Sequence, residues 1–294
     1  MSDAAETTPY HDDPSRLLAA LRLAEAVTGF SARLIEKDYY CSIVLQDLGG
    51  LFRGSLVFKG GTSLSKVHTE FFRLSEDLDF SVSISPAASR RARRDAAGPF
   101  KSHFVDLQVR LGCFRVAEPL LGHNDSRQYN GRLAYRSAVT GEDEFLKVEV
   151  GLREEVLLPA LDLPARTLLT DPNTNAPAVS PFGVRVLALR EAYAEKVRAA
   201  LTRRDPAIRD FFDVDNAVQK GLLQHLAPDF LRLVTEKLAV TTDPVDLSPE
   251  KIGLLKAQLE SQLKPVLRTT DYETFLLGRA LEMIGEMASR CWKN

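Results

Sequence analysis

The sequence predicts an α+β fold, a block of strands with helices on either side. Three observations carry the prediction. Residues 77–84, Asp-Leu-Asp-Phe-Ser-Val-Ser-Ile, alternate strictly between polar and apolar, the period of a strand with one buried face. Other short apolar or alternating runs, at 56–58, 114–116, 131–135 and 145–150, cluster in the same middle stretch. Outside it, apolar residues recur at helical spacing: Leu17, Leu18 and Leu21 near the start, and Leu222, Leu223, Leu226, Phe230, Leu231 and Val234 beyond the middle.

Residues 1–13 are acidic and polar, and are expected to be loosely attached. A first helical pattern starts at Pro14 and includes Leu23 and Ala24, breaking at Thr28-Gly29. A second runs from about Ser31 to Leu48 with Leu34, Tyr39, Ile43, Val44 and Leu48 apolar. It contains Glu36-Lys37-Asp38-Tyr39-Tyr40, which fits a surface ion-pair stripe with a buried tyrosine or a part in substrate binding. The strand at 56–58 stops at Gly60-Gly61, a pair suited to a tight turn, and a helix with Leu64, Val67, Phe71 and Phe72 at helical spacing is expected from Thr62.

After the alternating strand, Ser85-Pro86 ends the ladder. Residues 87–111 read as a helix interrupted at Gly98-Pro99, with Phe104, Leu107 and Leu111 on its later face. Residues 121–126 read as a turn between strands, with His123 a loop residue. In 145–150, Val148 and Val150 face the core while Lys147 and Glu149 share the other side. Residues 157–180, rich in Pro, Thr, Asn and Asp, read as an irregular connection with one strand near 165–169 and a soft domain boundary. A brief strand at 184–189 and a helix at 190–202 follow. Beyond Asn216 the pattern is helical, with Leu254, Leu255, Leu259 and Leu263 apolar. Residues 241–246 form a linker, Ser248 caps a helix with Pro249 at its first position, and a last helix spans 272–292. The expected division is residues 1–50 as tail and packing helices, 51–160 as core, and 161–294 as a mainly helical domain.

The chain has 294 residues, 45% hydrophobic and 27% charged, ordinary values for a globular protein with a sizeable core. No stretch approaches a membrane span and the start is no secretory signal, so a cytoplasmic protein is expected. Three scattered cysteines and five dispersed histidines lack metal-ligand spacing, which argues against a zinc site. A net charge of −2 does not announce nucleic acid, although the clusters Arg90-Arg91-x-Arg93-Arg94 with Lys101, and Arg203-Arg204 with Arg209, suit either solvated helix faces or a phosphate backbone.

Chemistry concentrates at 56–84. Asp77 and Asp79 share one strand face, where like charges repel unless a cation lies between them. A divalent ion is the economical answer, since Mg²⁺ takes one or two carboxylates plus substrate phosphates. A Gly-Gly turn opening a helix offers backbone N–H groups to those phosphates. A metal pair beside a phosphate cradle is the layout of a nucleotidyl-transfer site. The run is not a Walker A loop, because Lys59 precedes the glycines instead of following them.

Phe58-Lys59-Gly60-Gly61-Thr62-Ser63-Leu64-Ser65-Lys66, followed by Arg73-Leu74-Ser75-Glu76-Asp77-Leu78-Asp79-Phe80, resembles the paired signature of the AbiEii/AbiGii-type nucleotidyltransferase toxins. These are a branch of the polymerase-beta-like superfamily. Val148-Glu149-Val150 is similar to the family's third-acid strand, Glu195-Lys196-Val197-Arg198-Ala199 to its later helix, and Arg209-Asp210-Phe211-Phe212-Asp213 to the segment after it. The resemblance spans 35–213 in the family's order. It implies a polymerase-beta-like core with a small mixed sheet, N-terminal helices and a helical C-terminal module.

It further implies transfer of a nucleoside monophosphate from a nucleoside triphosphate to an acceptor hydroxyl, with the 3′ end of tRNA as the expected acceptor. Asp77, Asp79 and Glu149 would hold Mg²⁺ or Mn²⁺. Gly60, Gly61, Thr62, Ser63, Ser75, Lys66 and Asp210 would bind the nucleotide. Lys196 and Asp213 would join the acids in catalysis. An antitoxin encoded nearby and a role in phage defence are expected with it. Two other classes stay open: a small-molecule adenylyltransferase of the antibiotic-modifying type, and a non-catalytic nucleotide- or partner-binding module. The third acid being Glu, and the long spacing from Lys196 to Asp213, are departures from the pattern.

Overall fold

The structure, a computed structural model, describes residues 9–51, 56–85 and 87–291. The described residues form two compact units. One comprises the chain up to Glu155 with Asp162–Val186; the other comprises Val156–Leu161 and the chain from Leu187. Residues 162–186, grouped from sequence with the C-terminal part, go with the first unit because their strands extend its sheet.

In the first unit, α1 (Pro14–Thr28) starts at Asp13, whose carboxylate caps the Ser15 and Arg16 amides, and stops at Gly29 in the left-handed region with φ 76°. The residues just before α1 are not loose: Tyr10–Asp12 make a 3₁₀ turn, Tyr10 is buried, and its hydroxyl donates to Asp171. Residues 1–8 lie outside the described residues. Helix α2 (Ala32–Leu51) is followed by β1 (Leu56–Lys59), then a short helix α3 (Gly60–Ser63) that widens into a π-turn at Leu64–His68. The helix expected to reach Phe72 ends there. Phe71 sits at φ 51° and packs as a buried loop residue.

Strand β2 (Asp77–Val82) buries Leu78, Phe80 and Val82 as the alternation requires, but ends before Ser83 and Ile84; Pro86 lies outside the described residues. Helix α4 (Arg90–Arg110) is capped by Ser89 and runs unbroken through Pro99. Burial of Ala97, Phe100, Phe104 and Leu107 along one face holds both halves in line, offsetting the hydrogen bond that proline removes. Strands β3 (Phe114–His123) and β4 (Gln128–Arg136) form a longer hairpin than expected, so His123 ends a strand and the turn begins at Asn124. Strand β5 (Asp143–Gly151) is followed by β6 (Leu161–Ala165) and β7 (Phe182–Val186).

The seven strands make one mixed sheet in the order β3-β4-β5-β2-β1-β7-β6. Strand β2 lies antiparallel to β1 and parallel to β5, and β5 is antiparallel to β4. One register matters most: Lys59 opposes Asp79 across β1 and β2, and Asp79 opposes Glu149 across β2 and β5.

The second unit is helical: α5 (Leu189–Thr202), α6 (Ile208–Gln219), α7 (Pro228–Ala239), α8 (Pro249–Gln258), α9 (Thr269–Thr274) and α10 (Leu277–Cys291). Ser248 caps α8 through the Lys251 amide, with Pro249 in the first turn, as its sequence requires. The single last helix expected from Tyr272 is divided at Phe275, which is extended (ψ 128°) and packs its ring edge-on against Phe212. Trp292 lies outside the described residues.

Candidate active site

Strand β1 delivers the chain to Gly60, and the structure shows why glycine stands there. Gly60 has φ 77°, and a Cβ on it would lie 2.2 Å from Asp79 Oδ2. The turn and the acid are therefore in van der Waals contact. Gly61 is equally constrained: a Cβ there would meet Arg73 Nη2 at 2.4 Å and Ser75 Oγ at 2.9 Å. Gly60→Ala is expected to cost about 1–3 kcal/mol in strain at the positive φ and to displace the Asp79 carboxylate, losing activity faster than fold; parallel melting and activity curves check it.

The hydroxyls of this turn face inward. Thr62 donates to the Asp77 carbonyl and Ser63 to the Gly60 carbonyl at 3.0 Å, and both side chains are buried. Expected as phosphate ligands, they instead tie the turn to β2 through Thr62 and close it on itself through Ser63. What remains for a ligand is backbone N–H and the half-buried Ser75 against Gly61. Lys66 is also placed differently from the expectation. Its ammonium is fully buried, 2.7 Å from Asp38 Oδ1 and 2.7 Å from Ser42 Oγ, and donates to the Arg166 carbonyl at 3.2 Å. Three partners saturate the three donors of an ammonium, so Lys66 has none left for phosphate.

The Glu36–Tyr40 segment is neither a surface stripe nor exposed to a ligand. Helix α2 is buried on nearly all sides, and its charges must be paired. Glu36 accepts from Ser137 Oγ and the Ala138 amide, Lys37 lies 2.6 Å from Glu76, and Asp38 holds Lys66 while accepting from the Leu168 amide. The segment thus fixes the neighbours of the acids: Glu76 directly precedes Asp77, and Lys66 follows the glycine turn.

Asp77, Asp79 and Glu149 share the sheet face opposite Leu78, Phe80, Val148 and Val150. Burial, and behind it Glu149 and Asp77, push the Asp79 carboxyl up to about 6 against the pull of Lys59 and Lys147. Lys147 lies 3.3 Å from Glu149; burial works against its charge, but Glu149, Asp77 and Asp79 outweigh that and hold the ammonium above its usual range. The acid cluster is thus short of positive charge. Among the described residues, no three His, Cys, Asp or Glu side chains are grouped closely enough to hold a metal ion by themselves. The donor chemistry fits Mg²⁺, which takes few carboxylates and completes its octahedron with phosphate and water.

Arg73 was not singled out from sequence. Its side chain is buried beneath Gly61, with Nη1 donating to the Leu74 carbonyl at 3.0 Å. It brings a guanidinium to the turn that the sequence assigns to phosphates. Its only advance signal was its place within the Arg73–Phe80 motif.

In the second unit, Lys196 lies 2.8 Å from Asp210 and 2.9 Å from Asp213, both buried, and Arg203 lies 3.1 Å from the other oxygen of Asp210. Burial raises the Asp210 carboxyl, but Lys196 and Arg203 outweigh it and leave it below the usual range. Asp215 stands apart, held by Arg279 through two hydrogen bonds of 2.7 Å. The two arginine clusters are divided in the same way. Arg93 is buried and bonded to the Asp125 and Ala88 carbonyls, Arg91 is 90% exposed, and Arg204 pairs with Asp243.

The geometry can be set beside known proteins. The family model of the nucleotidyl transferase AbiEii toxin, type IV toxin–antitoxin system, matches residues 45–282. Among solved structures, the crystal structure of JHP933 from Helicobacter pylori is similar over 93% of this chain and 92% of its own, with 17% identity and a TM-score of 0.44. A candidate nucleotidyltransferase from H. pylori is similar over 97% and 96%, with 15% identity and a TM-score of 0.45. No curated protein matches the chain. The family match covers most of the chain, and the chain belongs to the AbiEii family of nucleotidyltransferase toxins of type IV toxin–antitoxin systems.

Proposed function

We propose that the protein is a metal-dependent enzyme that moves a nucleoside monophosphate from a nucleoside triphosphate to the 3′-terminal hydroxyl of tRNA, and that a cognate antitoxin restrains it in the cytoplasm. The contact of the Gly60 turn with Asp79 carries this reading, because it joins a phosphate-binding backbone to an acid pair with no intervening side chain. The acceptor oxygen forms a bond to the α-phosphorus as the bond from that phosphorus to the pyrophosphate oxygen breaks. The hydroxyl proton passes towards Glu149 and pyrophosphate leaves. Asp77 and Asp79 would hold Mg²⁺, with phosphate and water completing its shell and Glu149 beside Asp79 on β5; the chemistry of the ion is to stabilise charge on the attacking and leaving oxygens. The Gly60-Gly61 backbone and Ser75 orient the phosphates, and Arg73, buried beneath Gly61, supports that turn from below. Lys196, steadied by Asp210 and Asp213, is proposed on the family resemblance as the cation countering charge on the leaving group.

Incubating the protein with each labelled triphosphate, total tRNA and Mg²⁺ should label tRNA, and omission of the metal should abolish it. Labelling of an aminoglycoside instead of RNA would replace this reading with small-molecule adenylylation. Growth inhibition that survives Asp77→Ala and Asp79→Ala together would replace it with a binding role. Phage defence follows from the toxin reading and is tested by plaque counts on cells carrying the toxin–antitoxin pair.

A further inference from the structure

The sheet order distributes the proposed chemistry in space. The phosphate turn follows β1, the acid pair is on β2, and the third acid is on β5, so the triphosphate lies to the β1 side of the acids. The acceptor hydroxyl must then come from the opposite side, over β5 and β4. On that side the open sheet face has a composition unlike an ordinary solvated surface. Arg132 of β4 opposes Lys147 of β5, and Asn130 opposes Glu149.

The Arg132 guanidinium carbon lies over a half-buried aromatic ring, 4.4 Å from the centroid of Phe145. Arg132 remains 43% exposed, so its outer plane is available. Next to this stack runs a hydrogen-bonded row: Arg153 donates to Gln128 at 3.4 Å, and Gln128 donates to Asn130 at 3.2 Å. A Phe–Arg stack, a row of amides and three cations share this part of the sheet with the third acid, Lys147 lying 3.3 Å from Glu149 and Arg153 3.3 Å from the buried Glu154. Glu118, 3.0 Å from Arg132, engages one of the five guanidinium donors.

We propose that this β4–β5 face is the acceptor-strand site: a single-stranded RNA 3′ end lies across it, with a base stacked on the Arg132–Phe145 pair and its backbone phosphates met by Arg132, Lys147 and Arg153. Gln128 and Asn130 present donors and acceptors to base edges. The match of chemistry is specific to an unpaired strand. Stacking needs a base splayed from its neighbours, and a planar guanidinium on an aromatic bed supplies a π-surface with positive charge. The proposal rests on the transfer reaction above for the direction of approach.

The test is fluorescence anisotropy of the full-length protein with a labelled single-stranded oligoribonucleotide, without triphosphate, beside titration of a fluorescent triphosphate analogue with Mg²⁺. Arg132→Ala is expected to weaken RNA binding about tenfold or more and to lower the salt slope by roughly one. Arg132→Lys should restore the salt slope but not the affinity, because it returns the charge without the plane. Phe145→Leu, which keeps an apolar side chain in place, should weaken RNA binding about fivefold or more with an unchanged melting temperature. Triphosphate affinity should change less than about twofold in all three.

RNA binding as tight as wild type in Arg132→Ala and Phe145→Leu overturns the proposal, as does an equal loss of triphosphate affinity, or an unaltered wild-type protein that does not bind the oligonucleotide. The transfer reading fails separately. It falls if the wild type binds RNA but never labels it, and the face then stands only as an RNA-binding surface; if Arg132→Ala labels RNA at the wild-type KM, the face falls and the reaction stands.

Discussion

Asp79→Asn is expected to abolish nucleotidyl transfer and, in the same molecule, to make the metal-free protein more stable at neutral pH. The activity loss should be at least about a thousandfold, roughly 4 kcal/mol, since the carboxylate is proposed to hold the ion that stabilises transition-state charge. The stability gain follows from Asp79's position. Its carboxyl is pushed up to about 6 by burial and by Glu149 and Asp77, above the ~3.9 of an unfolded aspartate. The fold therefore binds this proton more tightly than the unfolded chain does. That contribution is fully present below about pH 4 and is lost as pH rises through about 6.

At pH 7 the ionised group then costs the fold about 1–3 kcal/mol, allowing for its partial exposure. Urea unfolding in EDTA at several pH values should show the wild type losing stability relative to Asp79→Asn between about pH 4 and pH 6. Adding Mg²⁺ should raise the melting temperature of the wild type and not of the variant. An Asp79→Asn protein less stable than wild type at pH 7 in EDTA would mean that the carboxylate is a structural partner, and the metal reading of the pair would fail.

Much of this site was legible because the signals are local. A period of two places Asp77 and Asp79 on one face whatever the rest of the chain does, and Gly60-Gly61 marks a turn wherever it occurs. The pairing of Asp79 with Glu149 is not local. It depends on a parallel register between residues 70 positions apart in the chain, and only the order of motifs pointed to it. The misplacements have a common cause in distant partners. Ser63 is polar and lies in the right motif, yet its hydroxyl closes the turn on Gly60. Pro99 should break a helix by its own chemistry, but Ala97 before it and Phe100 and Phe104 after it pack both halves into the core. Arg132 and Phe145 are unremarkable in sequence, 13 residues apart, and meet only because β4 and β5 pair antiparallel.

Lys66 is the sharpest instance, and it gives the second large effect. Lys66→Ala is expected to destabilise the protein by about 3–5 kcal/mol, because it leaves the Asp38 carboxylate buried without its cation. For a unit of this size the melting temperature should fall by roughly 10 °C. Lys66 is fully buried, Asp38 is 3% exposed at the side chain, and the two are 2.7 Å apart. Exchanging both, Lys66→Met with Asp38→Leu, should recover part of the loss, since removing an entire buried pair costs less than orphaning one member. Recovery will be incomplete because the Leu168 amide loses Asp38 as its acceptor, and the Ser42 hydroxyl and the Arg166 carbonyl lose the Lys66 ammonium that donates to them. At temperatures where the single variant remains folded, its triphosphate affinity should stay within about twofold of wild type, since no donor of this ammonium is left for phosphate. A variant that keeps its melting temperature but loses triphosphate affinity would show that Lys66 leaves Asp38 to meet the nucleotide, and the structural assignment made for it would fail.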